Sequence, residues 1–142
     1  MLPDRAPIFT YSCSLRSRYA ETDKMGYVYY GRYLEYFEVA RTEMIRSLQM
    51  PYSELEKEGI MLPVIQTHVD YNAPIYYDEL MRIKVHLYDI PMVKLETWYE
   101  IFTDRQSDPH AVGKVVLCFM EERTRKPRRA PKQFTEGLKA AI

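Results

Sequence analysis

Residues 19–44 read YAETDKMGYVYYGRYLEYFEVARTEM, a polar loop running directly into the most strongly periodic helix pattern in the chain. Tyr33, Phe37, Ala40, Met44 and Leu48 recur at spacings of three and four, and Leu34 and Ile45 widen that stripe. Arg32, Glu35, Thr42, Glu43, Arg46 and Gln49 fall mostly on the opposite side, where Glu43 and Arg46 can pair at i,i+3. The pattern predicts one long helix that starts near Tyr30–Gly31 and is ended by Pro51. One prominent acid, Asp23, stands in the loop ahead of it. The first turn of a helix carries N–H groups with no intrahelical acceptor, so a carboxylate there sits close to an array of free donors.

A helix with one apolar stripe needs a surface to bury it against, and the flanking sequence supplies strands. Residues 8–18 alternate, with Phe9, Tyr11, Cys13 and Leu15 on one face. Downstream, PYSELEKEG (51–59) reads as a short helix stopped by Gly59. Strand patterns follow at 61–71, 80–90, 93–104 and 111–122. Pro63 puts the start of the 61–71 strand at an edge or a bulge. NAP (72–74) turns the chain, Asp89–Met92 is a short hairpin connection, and DRQSDPH (104–110) reads as a polar turn. TRKPRRAP (124–131) is a basic connector, and 131–142 form a last helix with Phe134 and Leu138 at i,i+4. Consecutive strands argue an antiparallel sheet, so the predicted class is α+β: one domain over 1–142, a curved sheet round one long helix, with 1–7 a loose leader. One helix covers one face only, which leaves an edge or face for a second subunit.

Composition narrows the function classes. The 142 residues are 46% apolar and 28% charged with zero net charge, which gives no global electrostatic case for nucleic acid or a membrane surface. No apolar run approaches the ~20 residues of a membrane helix, and MLPDRAPIF has no signal-peptide pattern. Cys13 and Cys118 are isolated and read as reduced core residues of a cytoplasmic protein. Thirteen tyrosines suit half-wet cavities and interfaces.

His68, His86 and His110 are far apart and none stands near a paired cysteine, so no metal-ligand set is expected. Five unclustered glycines exclude a phosphate loop, and no nucleophile-elbow motif is present. Asp23 remains, with two readings that spacing alone leaves open. It is a turn or Asx-cap residue in ETDKMG, with Gly26 supplying a positive φ. Alternatively it is a catalytic carboxylate, surrounded by Met25, Tyr27, Val28, Tyr29 and Tyr30 that keep bulk water away.

The string Asp23-x-x-Gly26-x-Val28-Tyr29-Tyr30, followed by Tyr33–Leu34, Phe37–Glu38 and Ala40–Arg41–Thr42–Glu43–Met44, resembles the hotdog-fold acyl-CoA thioesterases, specifically the 4-hydroxybenzoyl-CoA thioesterase-like group and its Tol-Pal-associated branch. The resemblance continues through VDYNAPIYYDEL (69–80) and RKPRRAPKQF (125–134). It implies about five antiparallel strands wrapped round the long helix, and homodimers or tetramers with active sites at the dimer interface. It assigns the catalytic carboxylate to Asp23. The thioester carbonyl is then expected against the backbone N–H of Tyr30 or Gly31, with Asp23 attacking it or activating water. Part of that family has His where this chain has Tyr30, and another part has Tyr. Tyr33 and Phe37 are candidates for the acyl pocket. Arg128 and Arg129, in the densest basic cluster with Arg125 and Lys126, are candidates for the CoA phosphates.

The implied substrate is an acyl-CoA or acyl carrier protein thioester, with CoA entering as substrate and no separate cofactor. Two other functions compete. A hotdog hydratase or dehydratase normally uses a His, and residues 10–60 contain none. A non-catalytic acyl-thioester scaffold would bind without releasing thiol.

Overall fold

The computed structural model describes all 142 residues. Strand β1 is Phe9–Arg16, and after the loop a 3₁₀ turn at Tyr30–Arg32 leads into helix α1, Tyr33–Ser47. Helix α2 (Tyr52–Lys57) follows, then β2 (Ile60–Met61), β3 (Val64–Tyr71), β4 (Leu80–Leu87), β5 (Lys94–Thr103), β6 (Gln106–Cys118), β7 (Met120–Glu121) and α3 (Lys132–Ala141). Five strands form one antiparallel sheet in the order β1-β4-β5-β6-β3, and β2 pairs with β7 beside it.

The buried face of α1 is Tyr33, Tyr36, Phe37, Ala40, Arg41, Met44 and Ile45. It meets the inward alternation of β4 (Met81, Ile83, Val85, Leu87) and of β5 (Leu95, Tyr99, Ile101) in one continuous core. The expected stripe therefore holds except at Leu34, which is 38% exposed, while Tyr36 and Arg41 are buried in its place. The phase explains this: i, i+3, i+4, i+7 counted from Tyr33 lands on 36, 37 and 40, and turns position 34 to the flank. Phe37 lies flat on the sheet, stacked on Tyr99 at 4.4 Å. Its ring occupies the space where a side chain on Gly113 of β6 would be, 2.3 Å from the Cβ position. Glycine is required there by close approach of helix to sheet.

Four expectations change. The polar turn at 104–110 is far shorter, because β6 starts at Gln106 and only Asp104–Arg105 turn the hairpin. A register shift between Ile101 and Thr103 takes up the irregularity in which Pro109, without an N–H, is tolerated. The 61–71 strand is broken at Leu62–Pro63 into β2 and β3. The NAP turn does not make a hairpin: β3 pairs with β6, β4 pairs with β1, and residues 72–79 cross between them. The leader is tied down at Arg5, whose guanidinium bonds the Tyr88 carbonyl and Asp89, both at 2.8 Å.

The sheet is covered unevenly. Helix α1 packs against β1 and β4. At the far edge, β3 is exposed at every residue but Val69, including Val64, Ile65 and Tyr71 at about half their full area. The candidate site opens at the Tyr71 end of this edge.

Candidate active site

The loop 19–29 is fixed from beneath before it presents anything above. Glu21 is 6% exposed, and its carboxylate accepts the Arg18 N–H at 2.8 Å and the Tyr36 hydroxyl at 2.9 Å. The exposed Arg18 guanidinium reaches the same carboxylate at 3.1 Å. Burial alone would raise the Glu21 pKa, but the Arg18 N–H, the Tyr36 phenol and the Arg18 guanidinium together hold it below the ordinary glutamate value. The Glu21 carbonyl takes the Tyr29 N–H at 2.9 Å, so one residue ties the loop to α1 by its side chain and closes the loop by its backbone.

Above this anchor Asp23 starts a tight turn. Its Oδ1 accepts the Met25 N–H at 2.9 Å, its carbonyl accepts the Gly26 N–H at 3.0 Å, and its own N–H donates to Tyr27. Gly26 has φ 85°, the left-handed conformation this turn needs. The bland reading of Asp23 is therefore right as far as it goes. Only Oδ1 is committed, however, and Oδ2 has no donor within the chain.

Asp23 lines a cleft of about 400 Å³ together with Met25, Tyr27, Val28, Tyr30 and Tyr33 on one side. Tyr71, Asn72, Ala73 and Pro74 form the opposite wall. The 3₁₀ turn enters at the same place. Arg32 N–H bonds to the Tyr29 carbonyl, but neither the Tyr30 nor the Gly31 N–H has an acceptor in the chain. A cleft that holds an uncommitted carboxylate oxygen and adjoins two free helix-start donors can polarise a carbonyl and present a nucleophile or base to it.

Tyr33 is 3% exposed, and burial with the neighbouring phenols of Tyr71 and Tyr27 pushes its hydroxyl up to about 12. It stays neutral at physiological pH. Tyr71 stands edge-on to Tyr33 at 4.9 Å, and its hydroxyl donates to the Tyr30 carbonyl at 3.1 Å. That bond bridges the end of β3 to the start of α1.

The far wall is pinned from behind. The His110 carbonyl accepts the N–H groups of Asn72 and Ala73 at 2.8 and 3.0 Å, and its ring Nδ1 donates to the Pro74 carbonyl at 3.0 Å. Its Nε2 then accepts from Thr103 at 2.7 Å. The resemblance runs through Tyr71 and 72–74 without giving them a role, and His110 carries no motif. The crossover that brings them to Asp23 is a property of topology.

The other residues singled out in the sequence divide. Asp23, Tyr30, Gly31 and Tyr33 gather at this cleft or its rim. Phe37 is core. Arg128 and Arg129 lie beyond β7, and Arg128 is paired with Glu121 at 3.1 Å while Arg129 is exposed. A larger hollow of about 550 Å³, lined by Tyr52, Met61, Pro63 and Arg125 among others, adjoins that basic segment. It lies at the Val64 end of β3, about 23 Å from the Tyr71 end at the strand rise per residue. Within one chain the basic cluster and the Asp23 cleft are thus at opposite ends of the same edge strand. No three His, Cys, Asp or Glu side chains come together as a metal site would need.

Fold and cleft together define a hotdog domain with a carboxylate-lined cleft at the start of its long helix. The chain belongs to the thioesterase-like superfamily, whose profile matches residues 17–140. It is 39% identical over 85 residues to the protein named "Putative acyl-CoA thioesterase YneP" of Bacillus subtilis, covering 60% of this chain and 62% of that protein's length. It is 27% identical over 125 residues to the acyl-CoA thioester hydrolase YbgC of Escherichia coli, covering 88% of this chain and 92% of the other. Among solved structures, the DHNA-CoA thioesterase from Staphylococcus aureus superposes with a TM-score of 0.84 at 34% identity, over 92% of this chain and 87% of that one.

Proposed function

We propose that this chain hydrolyses acyl-CoA thioesters to free acid and CoA, with Asp23 as the acting carboxylate. The observation that carries this reading is the uncommitted Asp23 Oδ2 in a cleft adjoining the free N–H groups of Tyr30 and Gly31. The thioester carbonyl oxygen lies against those donors, which stabilise the negative charge that grows on it. In one route Asp23 attacks the carbonyl carbon, the C–S bond breaks, CoA leaves as thiolate, and water cleaves the resulting anhydride. In the other Asp23 takes a proton from water, the hydroxide adds, and the same thiolate leaves. A thiolate is a good leaving group, so neither route needs a strong general acid. CoA is substrate in both, and no further cofactor is invoked. An acyl carrier protein is the other carrier this site would accept. The relatives named as acyl-CoA thioesterases support the substrate class, and the Asp-x-x-Gly-x-Val-Tyr-Tyr string supports the 4-hydroxybenzoyl-CoA thioesterase-like group and its Tol-Pal-associated branch.

The working unit in this reading is a homodimer, itself able to pair into a tetramer, in the cytoplasm; no helix is long and apolar enough to cross a membrane. An unpaired strand edge with exposed Val64, Ile65 and Tyr71 is a template for a further strand. Two copies joined antiparallel through β3 bring the Val64 end of one beside the Tyr71 end of the other. Arg128 and Arg129 of one copy then approach the cleft of the next, as CoA phosphates require.

Thiol release from a panel of aliphatic and aromatic acyl-CoAs tests the activity, with Asp23→Asn as control. Asparagine keeps the oxygen that holds Met25 and loses the charge, so the variant should melt as wild type does and turn over at least ~10³-fold more slowly. Binding without release from any substrate would instead make the chain a scaffold. Wild-type rates in Asp23→Asn would remove Asp23 from the mechanism.

A further inference from the structure

A third cavity, of about 280 Å³, lies between α1 and the exposed edge, lined by Leu34, Glu35, Glu38 and Arg41 with Val64, Thr67 and Val115. Its unusual member is Arg41, which is 6% exposed and is not paired with any carboxylate. Its Nε donates to the Tyr52 hydroxyl at 3.1 Å and its Nη1 to the Tyr99 hydroxyl at 3.0 Å. Tyr99 is held in turn by Thr97 at 2.5 Å. Burial works against the charge on Arg41, and the oxygens of Tyr99 and Tyr52 outweigh it, so the guanidinium stays charged. Neutral phenols satisfy two of its donors. A buried cation with no anion is costly, and a cavity beside it is where an anion would enter.

We propose that this anion is the Glu38 carboxylate of a second copy of the chain, so that each dimer is locked by two Arg41–Glu38 pairs. The inference rests on the dimer reading above and goes beyond it by naming the charges that join. Four observations favour this occupant. Glu38 is exposed on α1 and has no cation or hydrogen-bond partner in its own chain. Glu35, the other acid at the mouth, is already bonded to Arg32 at 2.9 Å. Two acids at the rim repel a small free anion, so the negative charge is better delivered on a protein surface. Thr67 lies at the middle of β3, and a two-fold axis relating two antiparallel β3 edges passes near that midpoint. The two cavities and the flanks of the two α1 helices then face one another, with exposed Leu34 and Ile65 available to close the contact.

Sedimentation equilibrium of wild type, Glu38→Gln and Glu35→Gln tests the pair. Glu38→Gln should weaken the dimer about 100-fold or more, because it leaves two buried guanidinium groups unpaired. Glu35→Gln should stay within threefold of wild type. Native mass spectrometry of Glu38→Gln mixed with Arg41→Met separates a bond between copies from one within a chain. Only the mixed dimer keeps one complete pair, so it should exceed its statistical share. A wild-type chain that stays monomeric overturns the dimer reading itself. A dimer that Glu38→Gln leaves unchanged, or a statistical mixture, overturns the pair while leaving the dimer standing.

Discussion

Glu21 touches no part of the proposed chemistry, yet the arrangement around it predicts a measurable loss of stability when its charge is removed. In Glu21→Gln the side chain keeps its shape and loses its charge. Both buried bonds, from the Arg18 N–H at 2.8 Å and the Tyr36 hydroxyl at 2.9 Å, end on Oε1, so the amide oxygen can keep both, but only as neutral bonds. The NH₂ group then takes the Oε2 position, where it cannot accept from the Arg18 guanidinium. Hydrogen bonds to charged groups contribute about 1.5–3 kcal/mol each against about 0.5–1.5 for neutral ones, so each of the two buried bonds loses about 1 kcal/mol. The Arg18 guanidinium adds little, since its side chain is 79% exposed and screened by solvent. The expected loss is about 2 kcal/mol. For 142 residues, at the usual unfolding entropy per residue, that lowers Tm by about 7 °C. The pH dependence has a definite sign. A carboxylate held below 4.5 in the folded state stabilises fully above the unfolded value, and that contribution is lost as pH falls through the lower folded value. The gap between wild type and Glu21→Gln should therefore be widest near pH 7 and narrow below pH 4.5. Thermal unfolding followed by circular dichroism at both pH values measures it. A variant melting within 2 °C of wild type at pH 7, or a gap that widens in acid, would refute the reasoning.

Three other perturbations follow from the same geometry. Gly113→Ala places a methyl group 2.3 Å from the Phe37 ring, which is fully buried and stacked on Tyr99, so overpacking should cost about 1–3 kcal/mol in denaturant titrations; adding Phe37→Leu should recover part of it. Gly26→Ala forces a Cβ into φ 85° with open space around it, so about 1 kcal/mol of backbone strain is expected, together with a fall in kcat as the Asp23 turn shifts. Equal kcat in Gly26→Ala would mean that the turn does not aim the acid. Tyr71→Phe removes the hydroxyl held by the Tyr30 carbonyl at 3.1 Å, and should lower kcat several-fold in steady-state assays while Tm stays within about 2 °C of wild type.

What the sequence discloses and what it hides divide along physical lines. Local periodicity is readable because each side chain reports its own face: the α1 stripe, the β4 and β5 alternation and the Gly59 stop all follow from neighbours in sequence. Leu34 is misread because widening the stripe takes in the flank that the phase from Tyr33 turns outward, while the burial of Arg41 depends on Tyr52 and Tyr99, which no spacing on α1 records. The crossover at 72–79 is hidden for a related reason. A turn at NAP is compatible with a hairpin or a crossing, and the choice is made by β1, some sixty residues earlier in the chain, when it takes the place beside β4. Half of the cleft is built by that choice, so Tyr71 and the 72–74 wall could not be assigned to the site from their own letters.

The two readings of Asp23 are compatible: one residue can look structural and still serve as the proposed acting group. Treated as alternatives, a turn carboxylate and a catalytic one compete for the same side chain. The turn uses Oδ1, and the proposed chemistry needs only Oδ2. The bond from the Met25 N–H to Oδ1, the Gly26 N–H on the Asp23 carbonyl and the left-handed Gly26 fix the carboxylate plane. A side chain with a free rotor would place its second oxygen near the helix start only part of the time; one locked by its own turn is already oriented, which is what preorganised catalysis needs. The same logic runs downward through Glu21, which holds the loop on α1, and across through Tyr71, which holds the 3₁₀ turn carrying the free amides. The turn chemistry of Asp23 is thus a condition of its proposed role, and breaking the turn while keeping the carboxylate, as Gly26→Ala does, separates the oxygen that positions from the oxygen that acts.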